Sequence, residues 1–391
     1  MQLTLRQKIT QFAHMLQTEL FPVLEETAGA LSKEHKRVAS TLALIPMHRF
    51  IACANGWNGR PSKDRYAIAC AFLAKSVLNI ATTRSLIGRL EGDVQLRRLC
   101  GWKREWDLPH ESTFSRAFAE FSQMDLPRFV HEALIADTQK ERIIGHIARD
   151  STAIYARERC LQTPSQKRAS QSQPKAKKTR RSTKGKKLKK RRRNVRETKP
   201  ARTRIERQRT MSVDAMLREI PQECSIGAKK NSRGHEEYWR GFKLHLDVAD
   251  GQIPITALLT SANVHDSQMA IPLASISSKR VSYCYELMDS AYDASAIREH
   301  SRELGHKAII DPKAPGGPKS ALPMRQKPVP QLAPAESIRF RERTMVERVY
   351  SRLKDEFGAS SVRVRGPKKV MTHLMFGVLA LTADQLLKLA G

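Results

Sequence analysis

Three carboxylates draw attention by what surrounds them. Asp150 closes the run IIGHIARD, Asp289 closes SYCYELMD, and Glu347 sits in RFRERTMVERVYSRLKDEF. Hard divalent cations take oxygen ligands, and two of them bridged by carboxylates activate a water and stabilise the leaving oxygen of a phosphodiester. Three acids and two magnesium ions suffice for that reaction, provided that distant parts of the chain converge at one sheet edge. Taken singly, an Asp at a strand end is more often a turn or cap residue, and a helical Glu is more often solvated. Their shared context is what makes them candidates. Asp293 sits one step too far along to replace Asp289.

The elements that must position these acids follow from pattern. The apolar runs before Asp150 and Asp289 read as buried strands that stop at an acid. Between them, WRGFKLHLDVAD and QIPITALLTSAN read as a hairpin with its turn at Asp250-Gly251. A short helix at Asp266–Ala274, a helix at Ala294–Leu304, a brief strand at Lys307–Ile310 and a Pro-rich loop at Pro312–Pro334 come next. A long helix from Glu336 to Phe357 then carries Phe340, Arg343, Glu347 and Lys354, whose spacings of three, four and seven fall on one face. On such a stripe Arg343 and Lys354 hold phosphates while Glu347 holds metal. Thr372–Leu389 reads as an apolar helix on the core.

Residues 1–140 read as helical, with apolar positions recurring at three and four in Leu5–Leu24 and Tyr66–Leu78. Thr82 or Thr83 is placed to cap a helix through Leu90, and Ser112 one through Phe121. Such short helices serve equally as a DNA-reading unit or as a plain bundle, and the sequence leaves both open.

The chain of 391 residues carries a formal net charge of +31, which makes nucleic acid the leading partner. Residues 161–210 hold 21 Lys or Arg against Glu197 and Glu206, so this stretch supplies +19 of the total. With almost no apolar residues it is expected to be a disordered basic insertion that binds phosphate without reading bases. Cysteines 53, 70, 100, 160, 224 and 284 are scattered singly, which fits a reducing interior rather than a disulfide framework. The N-terminus lacks a secretory signal pattern, and no stretch approaches the roughly 18 uninterrupted apolar residues of a membrane span. A soluble, cytoplasmic, nucleoid-associated protein is expected.

Other residues read more plainly. His265 and Asp266 have two readings, as supports of the metal ligands or as a helix cap, Asp266, beside a hydrogen-bonded histidine, and the cap is favoured; Asp247 and Asp250 belong to the hairpin. Tyr155, Tyr292 and Tyr350 lack the Arg and His company of a tyrosine nucleophile. Trp102 and Trp106, beside Lys103 and Arg104, are expected to pack at a helix junction, with stacking on DNA as the alternative.

With these residues in view, the chain resembles the DDE transposases of bacterial insertion sequences, in the group with a Tyr-Arg-Glu-Lys signature around the catalytic Glu. Phe340, Arg343, Glu347 and Lys354 reproduce its spacing of two, three and six intervening residues, with Phe in place of Tyr. HIARDSTAIYARE is similar to the family's first-acid motif and ELMDSAYDASAIREH to its second. RGFKLHLDVAD, LLTSANVHDSQMA, DRYAIACAFLAK and LPHESTFSRAF also resemble it, so the likeness covers roughly residues 45–160 and 235–385.

The resemblance implies an α/β fold: an RNase H-like mixed five-stranded sheet with flanking helices at 141–391, preceded by an all-helical domain at 1–140 that binds DNA ends. The first Asp lies on the first strand, the second at the fourth and the Glu on a later helix. It implies Asp150, Asp289 and Glu347 as catalytic metal ligands, with two Mg2+ ions that Mn2+ can replace. Phe340, Arg343 and Lys354 are then the DNA contacts. The implied reaction is nicking at the ends of a mobile element, followed by attack of the freed 3′-hydroxyl on target DNA. The partners are double-stranded terminal inverted repeats and target DNA, held by a homodimer. The alternative is a catalytically inactive DNA-binding protein derived from a transposase.

Overall fold

The computed structural model describes residues 4–51, 64–160, 202–230, 235–311 and 332–389. Its first 140 residues form helices α1 (Leu5–Met15), α2 (Phe21–Ala28), α3 (Lys33–Leu44), α4 (Arg65–Val77), α5 (Thr83–Gly92), α6 (Val94–Leu99), α7 (Glu111–Gln123) and α8 (Leu126–Gln139). Their starts follow capping chemistry: the Thr82 hydroxyl accepts the Ser85 N–H at 3.0 Å and opens α5. At α7 the cap is His110 rather than Ser112. The extended His110 accepts the Ser112 N–H on Nδ1 at 3.2 Å, which draws Ser112 into the first turn. Trp102 is buried against Phe114 as expected, whereas Trp106 is exposed under the Arg104 guanidinium.

Beyond residue 140 the chain builds a mixed sheet. Its elements are β1 (Ile143–Tyr155), α9 (Arg204–Gln208), α10 (Val213–Glu219), β2 (Ser225–Lys230), β3 (Glu236–Ala249), β4 (Ile253–Ser261), α11 (Ala270–Arg280), β5 (Ser282–Met288), α12 (Ser295–Glu303) and β6 (Lys307–Ile310). After them come α13 (Pro334–Phe340), α14 (Met345–Asp355) and α15 (Pro367–Lys388). The hairpin expected at Asp250-Gly251 joins β3 to β4, and Gly251 and Gln252 both take the positive φ that so tight a reversal needs.

Strand order is β2-β3-β1-β5-β6, with β4 also on β3. The sheet thus has six strands in five lateral positions, because β3 is long enough to pair β2 over Glu236–Gly241 and β4 over Phe242–Ala249. The short β2 went unread in the sequence, and it moves the second aspartate from the fourth strand in chain order to the fifth. β1 is antiparallel to β3 and parallel to β5, and β5 is parallel to β6.

α15 is long and apolar enough by composition to cross a membrane, but it is mostly buried inside the protein, against α4, α7, α8 and β4. Gly377 lets it approach the end of α14, since a Cβ there would lie 2.8 Å from the Phe357 carbonyl oxygen. One hydrophobic core runs from Val38 and Phe72 through Phe376 to Leu246 and Leu287. The change of texture at residue 140 is therefore a change of layer around a shared core.

Of the basic stretch 161–210, residues 161–201 lie outside the described residues, as does most of the Pro-rich loop. The remainder corrects the expectation of disorder. Thr203 caps α9, Gln208 is buried and donates to the Gln268 carbonyl at 2.9 Å, and Arg209 pairs with Glu299 and Glu303 on α12. Those specific partners offset the repulsion that the composition implied.

Candidate active site

Asp150 does not end its strand. β1 continues to Tyr155 along β3, and what stops at the level of Asp150 is the neighbouring β5. Ile147 pairs with Glu286 and Ala148 with Leu287 in the parallel register, so the same offset brings Asp150 level with Asp289, just past the end of β5. Two acids 139 residues apart thus flank one sheet edge. Asp150 accepts the Ser151 N–H at 2.7 Å and Asp289 the Ala291 N–H at 3.0 Å.

The Asp150 side chain is 20% exposed. Burial pushes its carboxyl up to about 7, with the charges of Asp289 and Asp266 adding to the effect and the Ser151 amide and Arg343 opposing it. Burial likewise raises Asp289, with Asp266 and Asp311 reinforcing it. Burial and crowding together thus make ionisation of both carboxyls costly in the metal-free protein.

The long helix expected at Glu336–Phe357 is broken. α13 ends at Phe340, Arg341–Thr344 form a 3-10 turn, and α14 begins at Met345, so the four signature residues do not share one continuous α-helix. The pair at i and i+4 survives the break: Arg343 reaches Glu347 Oε1 at 2.8 Å and, with its other nitrogen, Asp150 Oδ2 at 3.7 Å. A single guanidinium joins the first carboxylate to the third, while Glu347 itself is 53% exposed in the first turn of α14. Lys354, in the last turn of α14, donates to Thr152 Oγ1 at 2.6 Å. Phe340 is half-buried against the core, with the Arg343 guanidinium 5.9 Å from its ring centroid.

Three groups stand otherwise than the favoured sequence reading had them. Asp266 is not the cap, because His265 Nδ1 accepts the Ser267 N–H; Asp266 instead accepts the Ser151 hydroxyl at 2.8 Å and Lys243 Nζ at 2.9 Å, beside Asp150. Tyr350 donates its hydroxyl to the Asp150 carbonyl at 2.6 Å and accepts the Leu246 N–H at 3.0 Å, clamping β1 to β3 at the acid. The third is Arg149, which faces the opposite side of β1 from Asp150 and is 0% exposed. It grips Asp247 with two bonds of 2.7 and 2.9 Å and Glu286 at 3.3 Å. Ser277 from α11 also donates to Asp247 Oδ2 and Ser301 to Glu286 Oε2, while Tyr283 donates to Glu286 Oε1, the one carboxylate oxygen of the pair that Arg149 does not reach. Asp247 thus belongs to a buried ionic cluster that ties β1, β3 and β5 together directly beneath the acids, a role beyond the hairpin. An Arg inside an apolar run, followed by lone acids in two other such runs, was the available signal.

Among the described residues no three His, Cys, Asp or Glu side chains stand close enough together to hold a metal ion, and Glu347 is turned toward Arg343. The donors nonetheless fit a hard cation. They are carboxylate oxygens, and Asp150 and Asp289 are held level at an edge where burial raises both and neighbouring carboxylates add to it.

Residues 205–383 match a family described as the transposase DDE domain, and residues 27–120 match a second, described as a transposase domain (DUF772). The first match takes in Asp289 and Glu347 and begins after Asp150. No curated protein and no solved structure matches the chain significantly. Both domain matches indicate a transposase function.

Proposed function

We propose that the chain is a DDE transposase of the insertion-sequence group with the Tyr-Arg-Glu-Lys signature, built on an RNase H-like core. The observation that carries this reading is the level placement of Asp150 on β1 and Asp289 just past the end of the neighbouring parallel β5, with Glu347 joined to Asp150 through Arg343. Asp150, Asp289 and Glu347 would hold two magnesium ions, replaceable by manganese, which supply positive charge at the scissile phosphate and lower the pKa of water.

The rest falls to the chain's own side chains. The Arg149 cluster and Tyr350 keep the two aspartates in register. Arg343, whose planar fork suits a phosphate as well as a carboxylate, turns to the DNA backbone and frees Glu347. Lys354 steadies Thr152 next to the acids and faces the same backbone. In the first step the oxygen of water bonds to phosphorus and the 3′-oxygen leaves as a hydroxyl. In the second, that hydroxyl oxygen bonds to a target phosphorus and displaces the target's own 3′-oxygen.

Double-stranded element ends and target DNA are the substrates, and synapsis of two ends calls for a homodimer working at the nucleoid. Residues 161–201 add phosphate binding without base reading. All three carboxylates are intact, which weighs against an inactive DNA-binding derivative. The test is to incubate the full chain with magnesium, linear DNA carrying the sequences that flank its gene, and a target plasmid. The expected product is element-end DNA joined through its 3′-ends to the plasmid, absent in EDTA. Joining that proceeds equally in EDTA would overturn the reading.

A further inference from the structure

Away from the carboxylates, a cavity of about 680 Å³ opens between α4, α5 and α7 on one side and the segment Ser361–Phe376 on the other. That volume lies in the range of sites that enclose small molecules. Its apolar wall is formed by Phe72, Phe118 and Phe376, packed on one another with ring centroids 5.0–6.4 Å apart. Lys75 also lines it. This lysine is only 8% exposed and has no carboxylate partner among the described residues. An ammonium held out of water without a counter-ion is costly, and burial alone brings Lys75 down to about 8.

The mouth is basic as well. Arg157, Arg363, Arg365 and Lys369 line it, all exposed and none in an ion pair among the described residues. Glu111 is the one acid in the lining, and it is already engaged by Arg84 at 3.3 Å. The N-terminus of α5, at Thr82 and Thr83, opens into the same space and adds its partial positive charge.

The cavity also has a fixed relation to the acids. β1 carries Asp150 and leads on to Arg157, so seven residues at about 3.3 Å each put Arg157 at most about 23 Å from Asp150. A DNA strand rises about 3.4 Å per nucleotide, so that reach is about seven nucleotides.

We propose that this cavity is a nucleotide-binding site for the DNA strand that runs past the carboxylates: a phosphate sits on Lys75 and the basic mouth, with its sugar and base against the Phe72, Phe118 and Phe376 wall. The site anchors DNA within about seven nucleotides of the cut and takes no part in the chemistry. It rests on the reading of the chain as a DNA-cutting enzyme.

The test measures binding of the full chain to a fluorescein-labelled 30-base-pair duplex by anisotropy, in EDTA, over a series of salt concentrations. Each phosphate contact contributes about 0.9 to the slope of log affinity against log salt, and hence about eightfold in affinity at 0.1 M salt. Lys75→Met should lower the slope by about 0.9 and weaken binding about eightfold at 0.1 M. Arg363→Ala combined with Lys369→Ala, at exposed positions that leave folding untouched, should lower the slope by up to about 1.8. Lys33→Ala on the exposed start of α3, outside the cavity, should change nothing. Slopes for Lys75→Met and the double variant equal to that of the parent would overturn the proposal. Because EDTA separates binding from cutting, a chain that binds with these slopes but never cuts would remove the reading of the carboxylates and leave the cavity; one that cuts with unchanged slopes would remove the cavity alone.

Discussion

Replacing Asp150 by Asn should stabilise the metal-free protein. The Asp150 carboxyl is pushed from its ordinary 3.8 to about 7, chiefly by burial, with Asp289 and Asp266 close by. A gap of about three pH units corresponds to about 4 kcal/mol. Water reaching a carboxylate that is 20% exposed screens part of that, leaving about 2 kcal/mol. The sign follows from proton binding. A carboxyl raised in the folded state holds its proton more tightly there than in the unfolded chain, so stability falls as pH rises from about 4 to about 7. Asn keeps the shape and the acceptor for the Ser151 N–H but cannot ionise, so it escapes that loss. In EDTA at pH 7.5, Asp150→Asn should melt about 2–5 °C above the parent, and the advantage should close near pH 4. Magnesium should raise the parent's melting temperature and leave the variant's unchanged, since a ligand stabilises only the state that binds it. A variant no more stable than the parent at pH 7.5, or equally favoured at pH 4, would refute the picture of a strained, charge-crowded edge.

Two further outcomes follow from the same structure. Arg149→Met leaves Asp247 and Glu286 buried without their cation and should cost about 3–5 kcal/mol in chemical denaturation; a loss below about 1 kcal/mol would show that the cluster does not brace the strands. Deleting residues 161–201 should weaken DNA binding more at low salt than at high salt without moving the position of cleavage, read by anisotropy and by end-mapping; an unchanged salt slope would deny that segment its role.

Much of this architecture is written locally and can be read locally. The apolar runs before Asp150 and Asp289 gave the first half of β1 and all of β5, and Asp250-Gly251 gave the hairpin, because apolar runs and turn chemistry depend on neighbours in sequence. What escaped depends on partners far away. Asp266 reads as a cap until Ser151, 115 residues earlier, is seen to hold it. β2 is too short to declare itself, and exists because β3 has an unfilled edge beyond β4. The break at Arg341–Thr344 leaves no Pro or Gly in the sequence, so the spacing of Phe340, Arg343, Glu347 and Lys354 suggested a straighter helix than the chain forms. In the basic tail, charge composition concealed the anchors of Gln208 and Arg209.

The central claim is that the carboxylates at this sheet edge cut DNA. The most direct measurement is cleavage of element-end DNA with magnesium by the parent and by Asp289→Asn, each first shown to bind that DNA equally in EDTA. The account predicts that the Asn variant binds as the parent does and cuts at least about a thousandfold more slowly, a loss of roughly 4 kcal/mol of transition-state stabilisation. Cutting by Asp289→Asn at the parent's rate would contradict it.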